Sequence, residues 1–181
     1  EAQLLCNNLV EYTDSGVGNF AYVDVGGGST EISLLHDGVL AESHSFNIGT
    51  LRMLGGAVSE QELMNMRQML EEYALKFPAT KIIGSGGNIN RLFRLARLKG
   101  PQRELPVERL QELYDTLETL TVVRRMELFK LKEDRADVIV PAAEIFLTVA
   151  EALGSESIIV PNISLADSIT DGIWREVQMK D

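Results

Sequence analysis

The sequence predicts an α/β domain: a mixed five-stranded sheet with helices on both faces and a helical insertion. Three observations support this fold class. Strand-like runs alternate with stretches of helical period, and clusters of turn residues separate the two. In addition, 45% of the 181 residues are hydrophobic, which is enough for a core of ordinary size. Strands that alternate with helices are typical of a sheet covered by helices.

The first part of the chain is predicted to contain a helix and three antiparallel strands. Residues 1–12 have the pattern of a short amphipathic helix, and a loop follows over residues 13–19. Asp37-Gly38 lies between the second and third strands and is a hairpin signal, because both residues can adopt positive φ. The three predicted strands cover residues 20–25, 31–36 and 39–46.

The hydrophobic period then changes to a helical one. Ser59 followed by Glu62 has the pattern of a capping box, which predicts a helix from there to about Lys76. A strand over residues 81–84 and a helix over 88–98 come next, and Pro106 is placed in a loop. Two or three further helical stretches follow. A long helix is then predicted at 134–153, with Pro141 in its first turn or at a bend. The last predicted elements are a strand at 157–160 and a helix at 165–178.

The composition excludes two broad classes of protein. The chain has 17 lysine and arginine residues against 27 aspartates and glutamates, a formal charge of -10. A general nucleic-acid binder needs a basic surface to neutralise phosphates, so we expect no nucleic-acid partner. No apolar run approaches the roughly 20 residues that span a bilayer, so we expect no membrane partner. A single cysteine, Cys6, fits a reducing compartment, and we expect a cytoplasmic protein.

The strongest candidate for a site is the segment Asp24-Val-Gly-Gly-Gly-Ser-Thr-Glu31. Consecutive glycines allow backbone N–H groups to converge on an oxyanion without a Cβ in the way. The predicted phosphate ligands are Gly26, Gly27, Gly28, Ser29 and Thr30. The carboxylates of Asp24 and Glu31 at the two ends of the loop are suited to a hydrated Mg²⁺. The alternative is a tight hairpin whose glycines serve turn geometry alone.

A second glycine-rich turn follows the fourth predicted strand. Gly84, Ser85, Gly86 and Gly87 precede a predicted helix, whose first N–H groups are free to meet an anion. The alternative is a simple turn between a strand and a helix. Glycine turns at the carboxyl ends of neighbouring strands would open onto one crevice, so we expect both turns to contribute to one phosphate site.

In their order along the chain, these residues resemble the Ppx/GppA phosphatases, the exopolyphosphatases and guanosine pentaphosphate phosphohydrolases. The resemblance extends to Ser45–Arg52, which is similar to a Ser-x-x-x-Gly-x-x-Arg segment of that family, and to Arg135–Ile139, similar to its Arg-Ala-Asp-Val-Ile segment. It implies an actin-like ATPase (ribonuclease H-like) fold of the actin, Hsp70 and sugar-kinase superfamily. Two departures are Asn88 in place of a threonine and Thr170 in place of an arginine.

The resemblance also implies an activity and further site residues. The activity is hydrolysis of terminal phosphoanhydride bonds in polyphosphate or guanosine pentaphosphate, with Mg²⁺ or another divalent cation as cofactor. Glu1 resembles the family's glutamate that activates the attacking water, although a solvated glutamate in a first helical turn is the alternative. With Glu1, the carboxylates of Asp24 and Glu31 complete the predicted catalytic set. Arg52 joins the predicted phosphate-binding residues.

The resemblance places residues 1–181 in the second, C-terminal domain of such a phosphatase. The family's N-terminal domain, with its own phosphate loop, is then an expected partner that this chain does not contain, and the chain would form half of the active-site cleft. The sequence leaves a homodimer open. It also leaves two other functions open: a non-catalytic nucleotide-binding module of the actin-like superfamily, and half of a sugar or acetate kinase.

Overall fold

The computed structural model describes residues 17–99 and 103–161. In these ranges six strands form one mixed sheet, in the order β3-β2-β1-β4-β6-β5. Strand β2 is antiparallel to both β1 and β3, whereas β1 is parallel to β4 and β4 is parallel to β6. The strands are β1 (Asn19–Val25), β2 (Thr30–His36), β3 (Val39–Phe46), β4 (Lys81–Ser85), β5 (Glu104–Pro106) and β6 (Ser157–Ile159).

Six helices occur in the same described ranges. The longest, α6, has 21 residues and contains Pro141 well inside it rather than in its first turn. It ends at Gly154, which adopts a positive φ of 61°, as its position after the last helical residue predicts. The helices are α1 (Thr50–Leu54), α2 (Glu60–Lys76), α3 (Gly86–Ala96), α4 (Val107–Glu118), α5 (Val122–Phe129) and α6 (Glu133–Leu153).

The predicted fold class and the antiparallel opening are confirmed. Asp37 and Gly38 have φ values of 48° and 76°, the positive values that the hairpin signal predicts. The count of five strands is wrong, because Glu104–Pro106 pairs with β6 as an antiparallel edge strand. Its three residues end in a proline, and an edge strand is where a sheet accepts one. Helix α1 was also missed, since five residues are too few to show a helical period.

The described helices pack on one face of the sheet. Ala21, Val23 and Val25 of β1 belong to the same buried cluster as the core residues of α2, α3, α4 and α6. On the opposite face Phe20 packs with Leu35 and Ile83 in a smaller cluster. The helices predicted at 1–12 and 165–178 lie outside the described residues, so helices on the second face of the sheet stay a prediction. None of the helices in the described ranges is long and apolar enough to span a membrane.

The predicted capping box is half confirmed. Ser59 is the N-cap of α2, and its Oγ accepts a hydrogen bond from the backbone N–H of Glu62 at 3.1 Å. The carboxylate of Glu62 does not return to the cap. It accepts a hydrogen bond from the backbone N–H of Asn47 at 2.9 Å, because the chain after β3 passes beside the start of α2. This contact ties α2 to the segment that leads into α1.

Replacing Ser59 with alanine is expected to lower the free energy of unfolding by about 1 kcal/mol, because an N–H in the first turn of α2 loses its acceptor. For a chain of this size that corresponds to a fall in Tm of roughly 2–4 °C. Differential scanning calorimetry measures the change. Gln61→Ala, at an exposed position of the same turn, is the control, and an equal fall in both variants would contradict a capping role.

Candidate functional site

Four polar side chains form a row across four strands on the sheet face opposite the described helices. In the strand register, Ser85 of β4 lies beside Asp24 of β1, Asp24 lies opposite Glu31 of β2, and Glu31 lies opposite Ser45 of β3. Residues in register on neighbouring strands project from the same face. The structure therefore brings together the two predicted carboxylates and one residue from the second glycine turn, and it adds Ser45.

The first glycine loop joins β1 to β2 and rests on the start of α1. The carbonyl oxygens of Gly26 and Gly27 accept hydrogen bonds from the N–H groups of Thr50 and Leu51 at 3.0 and 2.9 Å. Within the loop, the N–H of Gly26 donates to the carbonyl of Ser29 at 2.9 Å. That N–H is therefore used inside the protein, and it differs in this respect from the converging donors that the sequence predicts.

Turn geometry alone does not account for the three glycines. None of them has a positive φ, so the backbone conformation does not demand glycine. A Cβ on Gly27 would lie 3.0 Å from a methyl carbon of Leu51, but a Cβ on Gly28 would meet nothing within 4 Å. Gly28 is exposed, so neither its conformation nor its packing explains why it is glycine. This favours a ligand at the loop over the turn-only alternative.

Gly49 is the glycine that the loop requires most strictly, and its signal in the sequence is its place in the Ser45–Arg52 segment. A Cβ at this position would lie 2.4 Å from both the carbonyl oxygen of Gly27 and the carbonyl carbon of Gly28. Backbone atoms on both sides leave no flexible side chain to move aside. The start of α1 therefore packs backbone to backbone against the glycine loop.

The hydroxyls beside the loop have partners within the protein. Thr30 is fully buried, and its Oγ1 donates to the carbonyl oxygen of Ile48 at 2.5 Å. This places the Thr30 hydroxyl on the core side of the loop, where it braces the chain before α1. Ser29 Oγ donates to Glu31 Oε1 at 2.9 Å. Of the predicted backbone donors, the N–H groups of Gly27 and Gly28 donate no hydrogen bond among the described residues, and the same is true of the N–H of Ser29.

The two carboxylates have different surroundings. Glu31 is exposed, and one of its oxygens accepts hydrogen bonds from Ser29 and Ser45. Asp24 is half-buried and accepts no hydrogen bond from the residues described in the structure. Burial raises the pKa of Asp24 above its ordinary value, and the nearby charge of Glu31 raises the pKa further. Asp24 is thus the carboxylate that gains most from a cation or a bound proton.

The second glycine turn places several groups against Asp24. Gly86 has a φ of 90°, and a Cβ there would lie 2.6 Å from Asp24 Oδ1. Ser85 is buried as the N-cap residue of α3 but makes no capping bond. Its Oγ lies close enough to the Tyr22 hydroxyl to affect that group's pKa, but it makes no hydrogen bond of regular geometry in the described ranges. Gly84 is buried, with Ile89 and Ile158 filling the space that a side chain would need. Gly84 is therefore a packing residue in this structure.

Two polar groups near this turn were not predicted as site residues. A Cβ on the exposed Gly87 would lie 3.7 Å from Nη1 of Arg135, which places a guanidinium beside the first turn of α3. Tyr22 lies two residues before Asp24 on β1, so both side chains project from the same face of the sheet. Burial raises the pKa of Tyr22, an effect that the Ser85 hydroxyl opposes and that Asp24 increases. The sequence feature that could have identified Arg135 is its position at the start of the Arg135–Ile139 segment.

Two other residues discussed in the sequence analysis have clear positions. Asn88 is buried in the first turn of α3, and its amide donates to the carbonyl oxygen of Val25 at 2.8 Å, which joins the second turn to the end of β1. Arg52 is exposed on α1, with its backbone N–H 3.4 Å from the carbonyl oxygen of Gly27. Glu1 and Thr170 lie outside the described residues.

Comparison with known proteins decides the family. The sequence model described as "Ppx/GppA phosphatase family" matches residues 1–174. The chain belongs to the Ppx/GppA phosphatase family. It is 23% identical over 176 residues to the guanosine-5'-triphosphate,3'-diphosphate pyrophosphatases of Aeromonas hydrophila and Aeromonas salmonicida, with 91% of this chain and 36% of each relative covered. The Ppx/GppA chain thus spans about a third of the length of these relatives.

Solved structures have the same fold as this Ppx/GppA chain. A Ppx/GppA family member from Aquifex aeolicus superposes with a TM-score of 0.72 at 24% identity, covering 97% of this chain and 62% of that one. An exopolyphosphatase from Cytophaga hutchinsonii gives a TM-score of 0.75 at 21% identity, with 96% and 62% covered. At this identity the likeness establishes the fold alone.

The donor set of this Ppx/GppA chain fits a magnesium ion that is completed by other ligands. In the ranges that the structure describes, no three His, Cys, Asp or Glu side chains are grouped to hold a metal. Asp24 and Glu31 form a pair on opposite strands. Mg²⁺ binds typically through one or two carboxylates, with water and substrate phosphate oxygens as the other ligands. A pair of carboxylates therefore fits a Mg²⁺ ion whose remaining ligands are water and phosphate oxygens, and it does not form a cage of protein ligands alone.

Proposed function

We propose that this Ppx/GppA chain supplies half of an active-site cleft that hydrolyses the terminal phosphoanhydride bond of inorganic polyphosphate or guanosine pentaphosphate. The observation that carries the proposal is the half-buried Asp24 carboxylate, which lies opposite Glu31 and between two glycine turns. Membership of a phosphatase family supports the reaction class. The two relatives named as pyrophosphatases and the solved exopolyphosphatase support the substrate class.

The glycine loop would hold the terminal phosphoryl group. Phosphoryl transfer depends mainly on positioning and charge stabilisation, with little covalent participation by protein. The N–H groups of Gly27, Gly28 and Ser29 donate no hydrogen bond among the described residues, and the carbonyls of Gly26 and Gly27 tie the loop to α1. Such preorganised donors stabilise developing negative charge without having to reorient. The start of α3 at Gly86 and Gly87, with Arg135 beside it, would hold the neighbouring phosphate, and the exposed Arg52 would lie at the rim.

The carboxylates of Asp24 and Glu31 would hold Mg²⁺. When bound, the ion would neutralise charge that develops on the phosphate oxygens. Asp24 would lose the cost of being an unpartnered, half-buried carboxylate. Glu31 would offer the oxygen that its two serine partners leave unused. By the family resemblance, Glu1 would orient the attacking water and accept its proton.

The other wall of the cleft would come from a further domain. The relatives are nearly three times as long as the part matched here, since 36% of their length is covered. In the proposal, residues 1–181 are the C-terminal actin-like domain, and a preceding domain with its own phosphate loop is the partner. The single cysteine and the substrate class are in keeping with a cytoplasmic enzyme.

A phosphate-release assay with long-chain polyphosphate or guanosine pentaphosphate and Mg²⁺ tests the proposal. It compares the 181-residue chain with a chain extended to the full length of the relatives. We expect the extended chain to turn over and the shorter one to be at least roughly 10²-fold slower, because substrate positioning of that importance is lost with half a cleft. Equal rates would contradict the shared cleft.

The same two proteins separate the hydrolase from the other functions that the sequence leaves open. If the extended chain releases no phosphate while ATP or GTP raises its Tm and polyphosphate does not, it is a nucleotide-binding module. A phosphorylated sugar or acetate as product would identify a kinase. Either outcome would contradict the hydrolase.

A further inference from the structure

The exposed Glu31 carboxylate is held by two hydroxyls that donate to the same oxygen. Ser45 Oγ lies 2.8 Å and Ser29 Oγ 2.9 Å from Glu31 Oε1. An exposed glutamate that lacks such partners samples several rotamers, and ordering it costs conformational entropy. Because both donors meet one oxygen, the side chain is restrained while Oε2 stays open to a ligand. This arrangement is suited to presenting a carboxylate.

The two donors are not equivalent. Ser29 belongs to the glycine loop, which would itself contact the phosphate. Ser45 belongs to β3, where it lies opposite Glu31 in the ladder with β2. The backbones of Ser45 and Glu31 are therefore fixed relative to each other by the strand pairing, with or without a ligand. Ser45 is thus the donor that can define the direction of the carboxylate before anything binds.

The segment that begins at Ser45 also supports the glycine loop. Three residues later, the carbonyl oxygen of Ile48 accepts the buried Thr30 hydroxyl, and Gly49 packs against the backbones of Gly27 and Gly28. One short stretch of chain therefore sets the position of the loop and the direction of the Glu31 carboxylate.

We propose that Ser45 is a positioning residue that orients the Glu31 carboxylate for divalent-cation binding. The inference rests on the proposed function, because it takes Glu31 as a ligand of the cation. Outer ligands that hold a metal-binding carboxylate typically change metal affinity by 10–100-fold when they are removed. Ser45 contributes through Glu31 and does not itself contact the substrate.

The test compares Ser45→Ala with a matched control on the same strand and the same sheet face. Ser43 lies two residues earlier, where its hydroxyl pairs with that of Ser33 at 3.2 Å. Binding of Mn²⁺ to the extended chain is measured by titration, in which the electron paramagnetic resonance signal reports the concentration of the unbound ion. We expect Ser45→Ala to weaken binding about tenfold, Ser45→Thr to restore it because a hydroxyl is kept, and Ser43→Ala to match the wild type. Equal binding by Ser45→Ala and the wild type, or equal weakening in Ser43→Ala, would overturn the inference.

A measurement without metal separates this inference from the proposed function. Crystal structures of the metal-free proteins are expected to show Glu31 in one rotamer in the wild type and Ser43→Ala, and in several rotamers in Ser45→Ala. A single, unchanged rotamer in Ser45→Ala would overturn the positioning role. If the wild type binds no Mn²⁺, the proposed cation site fails, and the rotamer comparison alone then decides whether Ser45 orients Glu31.

Discussion

Replacing Gly49 with alanine is expected to lower the free energy of unfolding by about 3 kcal/mol, the upper part of the range for overpacked sites. The new methyl carbon would lie 2.4 Å from atoms of both Gly27 and Gly28. The φ and ψ of Gly49 are -134° and 160°, a region that alanine occupies without strain. The predicted cost is therefore steric alone. Calorimetry should show a Tm lower by roughly 6–12 °C.

Gly28→Ala is the matched control for this variant. Its Cβ would meet nothing within 4 Å, and its φ is not positive. We expect the stability of this control to equal that of the wild type or to exceed it slightly, since alanine restricts the unfolded chain. Equal Tm values for Gly49→Ala and the wild type would show that α1 does not rest on the loop backbone as the structure has it.

Replacing Asp24 with asparagine is expected to reduce phosphate release by the extended chain roughly 10²–10³-fold, the usual cost of removing one preorganised electrostatic group. The reason is that Asp24 is the carboxylate without a hydrogen-bond partner among the described residues, so its charge is available to the cation. Steady-state assays at saturating polyphosphate over a range of Mg²⁺ concentrations measure the loss. Activity that returned fully at high Mg²⁺ would contradict an essential role.

The same substitution is expected to stabilise the metal-free protein at neutral pH. Burial, with Glu31 as a second cause, raises the pKa of Asp24 in the folded state. The folded protein then holds the proton more tightly than the unfolded chain, so the free energy of unfolding falls as the pH rises through the interval between the two pKa values. Above that interval the full cost is present, and Asp24→Asn removes it.

Urea denaturation in EDTA from about pH 3 to about pH 8, which begins below the usual carboxyl pKa values and extends well above them, measures this effect. The stability of the wild type should fall with pH more than that of Asp24→Asn. Glu144→Gln is the control, because burial and Glu118 raise the pKa of Glu144 on α6, away from the glycine turns. It should also flatten the pH profile but leave phosphate release unchanged. Parallel profiles for Asp24→Asn and the wild type would contradict the assigned shift.

Local chemistry made several elements predictable from the chain alone. The Asp37-Gly38 turn and the Ser59 cap were confirmed, because each depends on residues within one or two turns of one another. The five predicted strands follow from runs of apolar residues. The short elements β5 and α1 escaped because three and five residues show no period, and because their formation depends on partners distant in sequence.

The candidate site was predictable in composition but not in arrangement. The glycine loop and its two carboxylates stand out in the sequence. Three consecutive glycines indicate a backbone that can approach an anion, and the flanking acids indicate ligands for a cation. That Thr30 is directed into the core, that Gly84 serves packing and that Gly49 supports the loop backbone depends on chain segments that meet only in the folded protein. No local pattern encodes such distances.

The linear order of residues was thus sufficient to predict the fold class, the antiparallel opening and the residue types of the candidate site. These follow from periodicity, turn preferences and side-chain chemistry, which act over a few residues. Only the tertiary structure decided that Ser85, Asp24, Glu31 and Ser45 lie in one row. Strand register sets that row, and register follows from how the whole sheet pairs and packs.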